Sequence, residues 1–246
     1  MRRIKTAIRN VWMQLKYHRR EGYAEEAFWD DRHRRFQSDV RAVGGGSLEE
    51  AEGRYPIQRE SFLKFLSDCQ IALNSASCVE FGSGNGFWAN VALDAGAAAY
   101  VGFDISENAV RNSAAIEPRA TFIQRNLGMD DHSMSDLNSE LVLSIDVLQH
   151  VTETDKVEQF LRNMVRATRP GGHIVVTSYT GHGNVVHGNA GDKTSGFGQF
   201  LRPLGYVASW DTDFITQALD GCRLIRKDEF WDKHILGFQK SISVGS

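Results

Sequence analysis

The stretch Cys78-Val79-Glu80-Phe81-Gly82-Ser83-Gly84-Asn85-Gly86 joins an apolar run to three glycines at alternate positions. The run is typical of a short buried strand. Phe87, Val91 and Ala95 then recur four residues apart, as on one face of a helix. We therefore predict a strand, a glycine turn and a helix. Gly82 permits a positive φ at the turn, and backbone without Cβ atoms lets a ligand approach closely. The free N–H groups of a helix N-terminus would face that ligand.

Two nucleotide-binding fingerprints do not fit this turn. The dinucleotide pattern G-x-G-x-x-G fails because Phe87 stands where the third glycine should be, and no G-K-[ST] follows for a phosphate-binding loop. The segment from Glu80 to Gly86, an acid followed by G-x-G-x-G, instead resembles motif I of class I S-adenosylmethionine-dependent methyltransferases. The resemblance implies that the glycines lie against the methionine moiety and that Glu80 steers its ammonium group.

Composition limits the classes of protein to consider. The chain has 246 residues, 41% hydrophobic and 24% charged, with a formal net charge of -3. This length suits one α/β domain with a substantial core, and the charge argues against a nucleic-acid partner. Cys69, Cys78 and Cys222 lie far apart and form no C-x-x-C pair, which fits a reducing, cytoplasmic setting. No apolar run approaches the ~18 residues of a membrane span.

A second predicted strand, Ala99 to Asp104, ends in an acid. Asp104 follows Gly86 by 18 positions, close to the roughly 20 expected for an acid that binds ribose hydroxyls. A carboxylate suits a ribose because it accepts hydrogen bonds from both hydroxyls. A third predicted strand, Ala120 to Gln124, is followed by Asn126. The resemblance implies that Asn126 binds the adenine amino group and that Leu127 flanks the ring.

Further segments extend the resemblance to roughly residues 28–240. The segment S-x-D-V-L-Q-H-V, residues 144–151, resembles motif IV of the family, and Pro170-Gly171-Gly172 precedes a predicted fifth strand, His173 to Ser178. Two closing strands are predicted at 222–231 and 235–242. The expected fold is a doubly wound α/β, mostly parallel seven-stranded sheet with an antiparallel last strand, plus an N-terminal helical extension.

The candidate site residues divide into two groups. His150 is the candidate catalytic base, because its pKa can lie near neutrality, and Asp146 is placed beside it. Some family members carry E-x-x-E-H here and bind a divalent ion, but Asp146 and Gln149 replace the two glutamates, so we predict no metal. The cofactor-binding residues implied for S-adenosylmethionine are Glu80, Gly82, Ser83, Gly84, Gly86, Asp104, Ile105, Asn126, Leu127 and Ser144.

Three regions are predicted along the chain. Residues 1–20 hold seven Lys or Arg and no acid, and form a predicted basic amphipathic helix that docks on the domain or contacts a membrane surface peripherally. Residues 21–75 form an N-terminal helical cap region, in which Phe28-Trp29-Asp30-Asp31-Arg32 resembles the family's lid segment. Residues 76–246 form the S-adenosylmethionine-binding core, with a glycine-rich lid at 180–209.

These features predict methyl transfer to a small-molecule acceptor, with oxygen favoured as the methylated atom. The absence of a [DNS]-P-P-[YFW] segment argues against base or glutamine-amide nitrogens as acceptors. Two alternatives stay open on sequence alone. One is a methyltransferase acting on a lipid-linked or glycan acceptor at a membrane surface. The other is a nicotinamide or nucleotide-sugar enzyme on the same fold. The oligomeric state and the acceptor itself are not predicted.

Overall fold

The computed structural model describes residues 12, 16–19, 22–37, 42–43, 48–179, 185–187 and 207–242. The first elements along this part of the chain are β1 (His18–Arg19), β2 (Gly22–Tyr23), α1 (Glu25–Phe36), α2 (Leu48–Asp68), β3 (Ser77–Phe81), α3 (Phe87–Asp94), β4 (Ala99–Asp104) and α4 (Glu107–Ile116). They are followed by β5 (Thr121–Gln124), β6 (Ser139–Ser144), α5 (Thr154–Ala167), β7 (Thr168–Ser178), β8 (Val185–His187), β9 (Val207–Ser209), α6 (Thr212–Ala218), β10 (Cys222–Phe230) and β11 (Lys233–Lys240).

Seven strands form one sheet in the order β10-β11-β7-β6-β3-β4-β5. Strands β5, β4, β3, β6 and β7 are parallel, whereas β11 runs antiparallel to both of its neighbours, β7 and β10. The predicted doubly wound sheet with an antiparallel last strand is therefore confirmed. The strand order reverses between β3 and β6, and open sheets of this type bind ligands at the carboxyl ends of the strands around such a point.

The central strands β3, β6 and β7 are largely buried, and their apolar side chains alternate between two cores. In β6, Leu141 and Leu143 face the core that contains α2 and α3, and Val142 faces the core that contains α5 and α6. Strand β7 alternates in the same way. The sheet therefore packs between two layers of helices. This packing fixes where each strand ends and so positions the residues that follow the strands.

The glycine turn after β3 has the conformation that its sequence predicts. Gly82, Gly84 and Gly86 have φ values of 85°, 55° and 76°. A Cβ at Gly82 would lie 2.3 Å from Cγ2 of Val147, and one at Gly84 would lie 2.5 Å from Cγ1 of Val43. Both positions therefore require glycine for two reasons, a left-handed backbone and close approach of a neighbouring side chain.

Several predicted boundaries were wrong, among them those of the last strand, which spans Lys233–Lys240 rather than 235–242. Strand β7 begins at Thr168, because Thr168 pairs with Ser139 and the Pro-Gly-Gly segment is an irregularity within the strand rather than a turn before it. Gly171 absorbs this irregularity with a φ of 75°. The predicted basic helix does not reach residue 20, because His18–Arg19 is extended and pairs with Gly22–Tyr23.

Parts of the three predicted regions lie outside the described residues. Most of the basic segment 1–20 and most of the lid 180–209 belong to these parts. Within the lid, Val185–His187 and Val207–Ser209 pair as an antiparallel ribbon, and Ala208 is buried in the core. None of the described helices is long and apolar enough to cross a membrane. The three-region division remains a prediction.

Candidate active site

A cavity opens at the carboxyl ends of β3, β4 and β6, with α1 and α2 above it. Its empty volume, with the open mouth included, is ≈ 960 Å³. Ten of the twelve predicted site residues line it; the other two, Gly86 and Ser144, do not. Gly86 precedes the first turn of α3, and the Ser144 hydroxyl donates to the Phe81 carbonyl at 3.0 Å. Gly86 and Ser144 therefore lie behind the residues that line the cavity.

Glu80 is a fully buried carboxyl group on the cavity wall. Its Oε2 accepts a 2.7 Å hydrogen bond from the Tyr100 hydroxyl, and its Oε1 has no hydrogen-bond partner among the described residues. Burial raises the pKa of Glu80 to about 8, against the opposing effect of the Tyr100 hydrogen bond. A buried oxygen without a partner is costly, so this site is suited to a cationic donor supplied by a ligand.

Asp104 ends β4 with its carboxylate fixed toward the glycine turn. Its Oδ2 accepts from the Gly84 N–H at 2.9 Å, and its Oδ1 accepts from the Ser106 N–H at 2.9 Å. The residue is 8% exposed and lines the cavity. Each oxygen keeps a second acceptor position. The carboxylate is therefore oriented before any ligand binds and can still accept two hydroxyl groups.

The rest of the predicted adenine end also lines the cavity. Asn126 is exposed, and its Oδ1 accepts from the Gly128 N–H at 3.1 Å, which leaves its amide N–H groups available. Leu127 is buried beside it, and Ile105 and Ser83 lie on the same wall. The Ser83 hydroxyl is buried and has no hydrogen-bond partner in the described part of the chain. A nucleoside bound here would have the Asp104 carboxylate at one end and the Asn126 amide at the other.

Asp146 has an unusual backbone for a residue that is not glycine, with a φ of 62°. Its Oδ1 forms a 2.9 Å ion pair with Nζ of Lys233, and its Oδ2 accepts from Nε2 of Gln58 at 3.2 Å. Its N–H donates to Oγ1 of Thr177. Lys233 is only 4% exposed, and its Nζ also pairs with Asp232 at 2.8 Å. Asp146 is thus held by contacts from three other elements of the fold.

His150 follows Asp146 by one 3-10 turn and lines the same cavity. Its ring contacts Trp29 of α1 edge-on, with 4.8 Å between ring centroids. Helix α1 is attached to the cofactor-side loop through Asp30, whose Oδ1 accepts from the Ser106 hydroxyl at 3.0 Å and from the Asn108 N–H at 3.1 Å. The segment predicted to act as a lid therefore lies between the ribose-side carboxylate and the candidate base.

Sequence reasoning missed several lining residues of the helical cap region. His33 is 1% exposed, its Nδ1 has no hydrogen-bond partner in the described structure, and burial lowers its pKa. Glu25 and Arg54 line the cavity as well. The only sequence signal was their location on amphipathic helices before the core. Among the residues described, no group of three or more His, Cys, Asp or Glu side chains is arranged to hold a metal ion.

The site fits S-adenosylmethionine on grounds of its own geometry. The unpaired Glu80 oxygen matches an ammonium group, Gly82 and Gly84 of the glycine turn line the same cavity, and the Asp104 carboxylate matches two ribose hydroxyls. These three features lie in one cavity.

The expected pH dependence of ligand binding follows from Glu80. The ionised carboxylate is the form that holds an ammonium group, so S-adenosylhomocysteine should bind more tightly as the pH rises from 6 to 8, by up to about tenfold per pH unit. Glu80→Gln should bind more weakly and show a flat profile. Isothermal titration at three pH values measures both, with Glu107→Gln as a matched exposed control. An unchanged slope in Glu80→Gln would contradict the role given to Glu80.

The raised pKa of Glu80 also makes the stability of the unliganded protein pH-dependent. Stability falls as the pH rises, whereas ligand binding becomes tighter. The pKa of Glu80 rises from its ordinary 4.5 to about 8 in the folded protein, so the folded state binds the extra proton. The stability that this proton contributes is fully present below the ordinary value and is lost as the pH rises through about 8. A bound ammonium group would offset this loss.

Comparison with known proteins identifies the domain. Residues 79–176 match the family described as "Methyltransferase domain". No curated protein matches the sequence. Magnesium protoporphyrin IX methyltransferase from Synechocystis PCC 6803, solved with bound S-adenosylhomocysteine, is 19% identical with a TM-score of 0.59, covering 86% of this chain and 94% of that one.

Two further solved structures are similar. A protein from Pyrococcus horikoshii OT3 is 14% identical with a TM-score of 0.61, covering 86% of this chain and 98% of that one. An S-adenosylmethionine-dependent methyltransferase from Mesorhizobium loti is 17% identical with a TM-score of 0.53, covering 72% of this chain and 96% of that one. At these low sequence identities, the structural similarity supports the fold only, whereas the family match supports the methyltransferase chemistry. The chain therefore carries a methyltransferase domain at residues 79–176 on a class I fold, is an enzyme, and uses S-adenosylmethionine as its cofactor.

Proposed function

We propose that the enzyme transfers a methyl group to an oxygen of a small-molecule acceptor bound in this cavity. One observation carries the proposal. A single cavity is lined by Glu80 and Asp104, which suit the cofactor, and by His150, which suits a proton acceptor. Helices α1 and α2 cover it with Trp29 and Tyr55. A concave site covered by two helices favours a metabolite over a macromolecule.

The chain's residues have mainly a positioning role in the proposed reaction. The bound cofactor supplies a methyl group already activated by the positive charge of its sulfonium, so in-line placement of the acceptor lowers much of the barrier. Glu80 and Asp104 hold the two ends of the cofactor. His150 accepts the proton of the acceptor hydroxyl on a ring nitrogen, and the edge contact with Trp29 orients its ring.

Asp146 has a positioning role in this proposal rather than that of a base. Its carboxylate is already paired with Lys233 and hydrogen-bonded to Gln58, so an additional proton would weaken both contacts. Its left-handed backbone sets the direction of the 3-10 turn that carries His150. The Trp210 indole N–H donates to the Leu148 carbonyl at 3.0 Å and fixes the same turn from the other side.

The experiment is a transfer assay with S-adenosylmethionine labelled in its methyl group and fractionated metabolite extracts. We expect label in a small product whose methyl carbon has the chemical shift of an O-methyl group. His150→Gln should lower kcat by about 10²- to 10⁴-fold with an unchanged dissociation constant for S-adenosylhomocysteine. Label on nitrogen, on carbon or on lipid would replace the oxygen assignment. A His150→Gln enzyme with full kcat would remove the base.

Other properties predicted from sequence stay proposals. These are the cytoplasmic setting, the absence of a nucleic-acid partner and peripheral membrane contact through residues 1–20. Each needs its own measurement, such as vesicle sedimentation of the full chain and of a chain that lacks residues 1–20.

A further inference from the structure

Arg54 lines the cavity, and no side-chain carboxylate in the described part of the chain forms an ion pair with its guanidinium group. The residue is half-buried on α2, and its Nε is buried without a hydrogen-bond partner. Its Cζ lies 5.6 Å from the centre of the Tyr55 ring. Desolvated charges in proteins are normally paired, so this guanidinium is prepared for a partner that arrives with a ligand.

We propose that Arg54 binds a carboxylate of the methyl acceptor. This inference rests on the proposed function and extends it to a substrate class.

The acids that line the cavity with Arg54 have other roles. Asp146 pairs with Lys233, and Asp104 accepts two backbone N–H groups. Glu80 accepts from Tyr100 and has a raised pKa, and Glu25 lies 3.7 Å from the ammonium group of Lys156. Arg54 is therefore not required to neutralise an acid of the described chain.

The neighbours of Arg54 favour a carboxylate with an apolar body. Burial raises the pKa of Tyr55 to about 12, so its hydroxyl remains neutral beside the Asn85 amide. One arginine with neutral polar neighbours suits a singly charged planar group, because its fork of N–H donors matches a carboxylate in two parallel hydrogen bonds. A phosphate dianion would leave charge uncompensated. The rings of Trp29 and Phe87 on the same cavity suit a flat apolar body.

The position of Arg54 also relates it to the reaction. Arg54 and Gln58 are four residues apart on α2 and therefore lie on one helix face. Gln58 donates to Asp146, one turn before His150. A carboxylate on Arg54 would hold the acceptor from the α2 side and leave the opposite end near the candidate base. Arg54 is thus a specificity-determining residue of the acceptor side.

The test observes the guanidinium directly in the full chain saturated with S-adenosylhomocysteine. The Nε–Hε signal of Arg54, identified by its loss in Arg54→Lys, is followed by nitrogen NMR during titration with benzoate. We expect a saturable shift with a dissociation constant on the order of millimolar, and none with benzyl alcohol of the same shape. The Arg59 signal, from an exposed position of the same helix, should not move.

Three outcomes would overturn the proposal. They are no saturable shift of Arg54, an equal shift with benzyl alcohol, and phenyl phosphate binding more than about tenfold tighter than benzoate, since the last points to phosphate recognition. The titration does not depend on turnover. If no methyl transfer is found but benzoate shifts Arg54, the proposed function fails and the anion site stands.

A second measurement uses the acceptor that the labelled-methyl assay identifies. Arg54→Gln should raise its KM on the order of 100-fold, with the dissociation constant of S-adenosylhomocysteine unchanged. Added guanidinium should restore part of the activity of Arg54→Ala, which a purely structural role would not allow. Arg59→Gln is the matched control and should behave like the unmodified enzyme. An acceptor without a carboxylate, or an unchanged KM in Arg54→Gln, would refute the assignment.

Discussion

Asp104→Ala should weaken the binding of S-adenosylhomocysteine by about 100-fold or more. The carboxylate would accept two ribose hydroxyls, and hydrogen bonds to a charged group contribute roughly 1.5–3 kcal/mol each. The substitution also leaves the Gly84 and Ser106 N–H groups without their acceptor, so the glycine turn loses the contact that joins it to β4. Isothermal titration at pH 8 measures the change.

The matched control for this prediction is Glu107→Gln. Glu107 is an exposed acid three residues further along the chain, paired with Arg111 at 2.8 Å, and it does not line the cavity. Its substitution should change the affinity less than twofold. Equal affinity of Asp104→Ala and the unmodified protein would show that the ribose lies elsewhere. Circular dichroism of both variants separates lost binding from lost folding.

Lys233→Met should lower the free energy of unfolding by about 1.5–3 kcal/mol, because it removes the buried cation that pairs with the half-buried Asp146 carboxylate. Burial opposes the charge on Lys233, but the ion pairs with Asp146 and Asp232 outweigh it and raise its pKa. The ammonium group also lies 4.9 Å from the centre of the Tyr179 ring. Urea unfolding at pH 7 measures the loss. kcat should fall too, since Asp146 is then free to leave its left-handed conformation.

An exposed lysine gives the comparison. Lys64 pairs with Asp68 one helical turn away on α2 at 2.6 Å, and such surface pairs contribute about 0–1 kcal/mol. Lys64→Met should therefore have a small effect. The double variant Asp146→Asn with Lys233→Met should recover part of the stability, because it removes both charges of the pair. If Lys233→Met costs no more than Lys64→Met, the buried pair does not organise this side of the site.

The sequence predicted the parts of the molecule that depend on local pattern. The glycine turn could be predicted because glycine favours positive φ values, and the strand before it because Cys78, Val79 and Phe81 are apolar. Asp104 could be predicted because an acid that ends the second strand lies at a characteristic spacing from the glycine turn. The carboxylate indeed lies against Gly84.

The remaining parts of the site come from contacts between residues far apart in the chain. Gln58 contacts Asp146 across 88 positions, and Lys233 reaches the same carboxylate from the last strand. A lysine at the start of a strand is expected at the surface, so nothing local marks Lys233 as buried. The sequence likewise did not predict that Arg54 and His33 line the cavity. Which faces of α1 and α2 line it depends on how these helices pack over the sheet.

The most direct test of the account is a crystal structure of the full chain grown with S-adenosylhomocysteine. We expect the ribose hydroxyls within hydrogen-bond distance of Asp104, the amino group on the free oxygen of Glu80, and the sulfur directed toward His150. A ligand bound in this cavity in the reverse direction, or bound away from Asp104 and Glu80, would contradict it.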